Sequence, residues 1–173
     1  MGLLNWILGH RKRRELPVDP RDLKIRLVPK AFDPDGDETD LMWYGLVFEK
    51  SGGQRLPYDA PELQERGVMV FNVAGVKHRP KALQMACFDP PSFLRLVLED
   101  DNQFDSNAVG IYDAEGQTMV GYVPREMAPV MREAMAEHPD YSAMAIAHAK
   151  KGKKRVSLTV LFGPVNELRD ATT

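Results

Sequence analysis

The apolar positions follow two rhythms, and the changes between them mark the elements. Val68–Val76 (VMVFNVAGV) is a near-continuous apolar, β-branched run, which predicts a buried strand. Phe93–Glu99 alternates apolar and polar side chains and predicts a second. Asn107–Tyr112 and Met119–Val123, joined by the turn Asp113-Ala114-Glu115-Gly116, predict a hairpin. Tyr141–Ala149 and Arg155–Phe162 predict the last two strands, linked by the basic turn Lys150-Lys151-Gly152-Lys153-Lys154. Helical spacing is confined to Pro80–Ala86, stopped by Cys87-Phe88-Asp89-Pro90-Pro91, and to Arg125–Ala136. In the latter, Pro124 sits where a helix can start and Met127, Val130, Met131 and Ala134 share a face. Upstream, Lys24–Val28 and Trp43–Lys50 are strand candidates separated by the acidic loop AFDPDGDETD. Many short strands with one interposed helix predict a mainly β protein with short helices, built as a small curved barrel.

The pattern divides the chain into four zones. Residues 1–22 end in LPVDPRD and read as a flexible arm; 23–66 form a β-containing extension; 67–165 are the barrel; 166–173 are a tail. Composition adds that 173 residues, 43% hydrophobic and 28% charged, suffice for one domain with its own core. The net charge of −2 argues against a broadly basic surface, so a phosphate-binding surface has to arise by local clustering. No apolar run reaches the ~20 residues that cross a bilayer. At the start, MGLLNWILG precedes the basic run His10–Arg14, the reverse of a secretory signal. A single cysteine, Cys87, excludes an internal disulfide and any paired-cysteine zinc site. A reducing, cytoplasmic setting is expected, with no membrane.

Enzymatic chemistry finds little support. The sequence has neither a Walker-type glycine loop nor a GxSxG elbow. His10, His78, His138 and His148 lack metal-ligand spacing, and no metal or other cofactor is expected. Cys87 sits in apolar surroundings and reads as a small buried hydrophobe. Asp33, Asp35, Asp37 and Asp40 open like a calcium loop, but Glu38 stands where Gly is needed and Tyr44 where Glu is needed. Two polar clusters are more informative. Val76-Lys77-His78-Arg79 sets cations around a flat ring, and Asn102-Gln103-Phe104-Asp105-Ser106-Asn107 sets an aromatic ring in a polar loop. Phe104 is either a plug folded onto the barrel end or an exposed platform on which a nucleobase stacks.

These clusters carry a resemblance. Leu98-Glu99-Asp100-Asp101-Asn102-Gln103-Phe104-Asp105-Ser106-Asn107-Ala108-Val109 resembles the ExDNP[YF]DxNA[IV] core of the HIRAN domain family. Gly121–Ala128 (GYVPREMA) resembles its GYVPRExA segment, and Val73–Arg79 resembles its opening strand and basic-aromatic end. Gln103 departs from the usual proline. The family includes free-standing bacterial proteins and N-terminal domains of Swi/Snf-type DNA translocases. The resemblance implies a modified OB-like or SH3-like small barrel plus an N-terminal extension. It also implies a non-enzymatic module for 3′-hydroxyl ends of single-stranded DNA, in DNA repair or fork processing. Carried over, His78 and Phe104 stack on terminal bases, with His78 replacing a tyrosine. Asp105 recognises the hydroxyl, and Lys77 and Arg125 hold phosphates. Asp101, Asn102, Asn107 and Tyr122 support the loop. Partners implied are single-stranded DNA ends and a repair or replication protein met through the N-terminal arm. The alternative is a protein-interaction scaffold on the same fold that does not bind DNA.

Overall fold

The computed structural model describes residues 26–32, 41–50 and 54–166. The arm, residues 33–40 of the acidic loop with their calcium-like aspartates, and nearly all of the tail lie outside these residues, while Ala31 and Phe32 end β1. The strands are β1 (Arg26–Phe32), β2 (Leu41–Lys50), β3 (Gln54–Leu56), β4 (Met69–Asn72), β5 (Ser92–Leu98), β6 (Val109–Asp113), β7 (Met119–Tyr122), β8 (Tyr141–Lys151), β9 (Lys154–Arg155) and β10 (Thr159–Pro164). The helices are α1 (Pro61–Gln64), α2 (Pro80–Leu83) and α3 (Ala128–Glu137).

All pairings are antiparallel and centre on β8, whose length lets it bond to several neighbours. One edge pairs with β10, and the other pairs with β5 through Ala143–Ala145 and with β2 through Ala147–Lys151. From β5 the sheet runs through β6 to β7, while β10 pairs with β4. The curl closes where Ala74, just past β4, exchanges two backbone hydrogen bonds with Tyr122 at 2.8 and 2.9 Å. Closure requires Gly121, because a Cβ there would lie 2.4 Å from the Ala74 carbonyl oxygen and 2.5 Å from Val73 Cγ1. The result is the mainly β, barrel-like fold with short helices that the pattern predicts.

Because side chains alternate along a strand, β8 and β10 serve two cores. Ala143, Ala145, Val160 and Phe162 face the barrel interior with Phe71, Val109, Ile111, Val120 and Met131. Met144, Ile146 and Leu161 face outward onto a second cluster with Phe48, Leu56, Ala60 and Leu63. Elements from the first part of the chain therefore cover the outer face of the barrel's central strands. Gly45 allows β2 to approach, since a Cβ there would lie 2.4 Å from Ala147 Cα.

Several boundaries differ from the pattern for local reasons. The run Val68–Val76 is a strand only to Asn72, because Gly75 (φ 76°) turns the chain and Val76–His78 forms a 3-10 turn. Arg155–Phe162 is interrupted: Arg155 ends β9, and β10 begins at Thr159. The basic turn is a tight hairpin, with Lys150 opposite Arg155 and Lys151 opposite Lys154. The helix expected at Arg125 starts at Ala128 with Pro129 in its first turn, and the Pro124 carbonyl accepts from the Met127 and Ala128 N–H groups. On that helix Met131 is buried, but Val130 is 56% exposed. In the β6–β7 hairpin, the Asp113 carboxylate accepts from the Gln117 and Thr118 N–H groups at 2.7 and 3.1 Å.

Candidate nucleic-acid interface

The first half of the site is built by the turn at Gly75. It bends the strand end into one 3-10 turn, closed by His78 N–H donating to the Gly75 carbonyl at 3.0 Å. Val76 packs against the barrel core, and Lys77 and His78 are exposed. Arg79 follows, with its guanidinium 5.2 Å from the centre of the Tyr122 ring, a cation–π contact.

The second half is the loop between β5 and β6, and Asn102 is its hub. Asn102 Nδ2 donates to Glu99 Oε2 at 2.8 Å, while Oδ1 accepts from the N–H groups of Phe104 and Asp105 at 3.0 and 3.1 Å. This side-chain-to-backbone closure is an Asx turn. Asp105 Oδ1 then accepts from Asn107 N–H at 2.9 Å, and Oδ2 accepts from Arg125 Nε at 3.2 Å. Arg125 Nη2 donates to the Phe104 carbonyl at 3.0 Å. Both backbone polar groups of Phe104 are therefore tied down while its side chain stands in solvent, the residue being 88% exposed. Phe104 is not a barrel plug.

Tyr122 joins the halves. Its hydroxyl donates to Glu99 Oε2 at 3.2 Å, its ring carries Arg79, and its backbone closes the barrel with Ala74. Burial, then the Glu99 charge, raises the phenol's pKa, so it stays a neutral donor. Lys77 and His78 thus lie on the segment held through Arg79, and Phe104 and Asp105 on the loop held through Glu99 and Asn102, against which Arg125 packs from the segment after β7. Among the described residues no ring contact joins His78 to Phe104.

The expected supporting roles divide. Asn102 organises the loop with its side chain, whereas Asn107 contributes its N–H and Asp101 is exposed. Tyr122 is a strand residue and not part of the loop. Arg125, expected as a phosphate ligand, is ion-paired to Asp105, although its side chain remains 74% exposed. Sequence spacing missed Arg79 and Glu99 as structural partners. Both stand inside the motif segments, but their connection runs through a third segment.

Elsewhere, Arg155 is spent on structure, donating to the Leu83 and Met85 carbonyls and pairing with Asp89. Lys151, Lys153 and Lys154 are exposed at the hairpin. Burial, followed by the Asp113 charge, pushes the Cys87 thiol's pKa up, the opposite of an activated nucleophile. The described residues contain no group of three or more His, Cys, Asp or Glu able to hold a metal, and no helix among them is long and apolar enough to cross a membrane.

The sequence model of the HIRAN domain matches residues 66–163. That span runs from just before β4 to β10 and contains every candidate site residue. The crystal structure of the HIRAN domain of human HLTF is similar at 15% identity, covering 60% of this chain and 82% of that chain, with a TM-score of 0.41. No curated protein matches the chain.

Proposed function

The chain belongs to the HIRAN domain family, and on that premise we propose that its barrel is a non-enzymatic DNA-binding module. In this proposal it takes the 3′-hydroxyl end of a single strand, in DNA repair or replication-fork processing. One observation carries the reading: a large aromatic ring, 88% exposed, stands on a loop whose backbone is fixed on both sides of it. Exposing a phenylalanine is unfavourable unless something covers it, and a fixed ring loses little freedom when a base stacks on it. His78, exposed on the neighbouring segment, offers the second flat face, and Lys77 beside it offers a cation for phosphate.

Asp105 is the end sensor. Each of its oxygens already accepts one hydrogen bond, and a carboxylate has about four acceptor positions, so it retains capacity for a 3′-hydroxyl donor. A 3′-phosphate in the same place meets a like charge. Arg125 stabilises the carboxylate and, being largely exposed, keeps donors for the penultimate phosphate.

The Asp105–Arg125 pair also favours a second reading, a scaffold without DNA, because it neutralises the cation that lies against Phe104. Competition between linear and circular single strands of equal sequence separates the two. An end-binding module is displaced by the linear strand and far less by the circle, whereas a scaffold binds neither.

A further inference from the structure

Helix α3 has a mismatch between pattern and burial. Val130 lies on the apolar stripe predicted from sequence, yet it is 56% exposed while Met131 is fully buried. Val130 borders an open groove of about 700 Å³, within the range of sites that hold a ligand or peptide side chains. The less exposed residues that line it, Val68, Met127 and Tyr141, form its apolar floor. Three exposed carboxylates also line it, Glu133 and Glu137 on α3 and Asp59 just before α1. An apolar floor with an acidic rim fits a segment in which large apolar side chains adjoin cations.

The chain contains such a segment outside the described residues. Leu3, Leu4, Trp6, Ile7 and Leu8 are followed directly by His10-Arg11-Lys12-Arg13-Arg14. Residues 15–25, between this run and the start of β1, span up to about 35–40 Å when extended, comparable with the width of a domain this size. We propose that residues 3–14 dock into this groove of their own chain, the apolar side chains covering Val130 and the floor, and the basic run meeting Glu133 and Glu137. Docking removes the apolar face of α3 from water and satisfies a charge imbalance on both sides. The proposal does not rest on DNA binding.

The test uses the full chain carrying Trp43→Phe, which leaves Trp6 as the sole tryptophan. Docked, Trp6 emits at shorter wavelength than in a synthetic peptide of residues 3–14. Val130→Glu, and separately the double change Glu133→Lys with Glu137→Lys, return the emission to the peptide's value while the thermal transition stays cooperative. These positions are exposed, so both variants retain the fold, and circular dichroism checks it. The docked emission persists on hundredfold dilution. Three outcomes overturn the proposal: peptide-like emission in the parent, emission unchanged in both groove variants, or a shift that vanishes on dilution, which assigns the groove to a second copy.

Discussion

Phe104→Ala removes the platform, and its two consequences are separable. A phenylalanine buries roughly 150–250 Å² when fully enclosed. At 88% exposure only about an eighth of that is covered here, some 25 Å², which at about 25 cal/mol per Å² corresponds to ~0.6 kcal/mol. The loop itself is held by Asn102 and Arg125 through backbone groups that alanine retains. Unfolding stability is therefore expected to fall by less than about 1 kcal/mol, against ~3–5 kcal/mol for a phenylalanine removed from a core. Binding behaves otherwise. Loss of one stacked base weakens affinity by ~1–3 kcal/mol, or roughly 5- to 150-fold. Urea denaturation followed by circular dichroism reads the first quantity, and fluorescence anisotropy with a short labelled single strand reads the second. A stability loss above ~3 kcal/mol would refute the exposed-ring geometry. Unchanged affinity in a stable variant would refute stacking on Phe104.

Asp105→Asn keeps an acceptor and removes the charge, so hydroxyl-end affinity falls about fivefold as a charge-assisted bond becomes neutral. In the same variant 3′-phosphate binding rises, because repulsion ends and Arg125 is released; anisotropy with both oligonucleotides checks this. Gly121→Ala forces a Cβ against the Ala74 carbonyl and separates the closing bridge, lowering stability by about 2–4 kcal/mol in a denaturant titration. His148, buried on β8, has its pKa lowered to about 4 by desolvation, then by the charges of Arg155 and Lys150, with Asp89 opposing. The unfolded chain takes up this proton first, near pH 6.5, so stability from the neutral ring is complete above that pH and declines toward pH 4 by roughly 2–3 kcal/mol. Stability against pH for the wild type and for His148→Gln tests this, the variant giving a flatter profile.

Several barrel strands were legible because each carries its own signal: the apolar, β-branched run Val68–Val76 around β4, alternation in β5, and turn chemistry between β6 and β7. β3 and α1, three and four residues long, are shorter than any hydrophobic period can register. The outer core was hidden because β8 is buried on both faces, and only its register with β2 and β10 shows which side each residue serves. In the site, the motif residues were legible by type. The linkage from Arg79 through Tyr122 and Glu99 to Asn102 was not, since it joins three segments far apart in sequence. The exposure of Phe104 was equally beyond the sequence, where plug and platform leave the same letters.

End recognition is the central claim, and anisotropy with one labelled single strand, prepared with either a 3′-hydroxyl or a 3′-phosphate, tests it most directly. With roughly three phosphates contacted, doubling the salt weakens binding about fourfold for both strands, while the preference between ends survives. The account predicts tighter binding of the hydroxyl end by at least tenfold at both salt concentrations. Equal affinity for the two ends, or no binding of either, contradicts it.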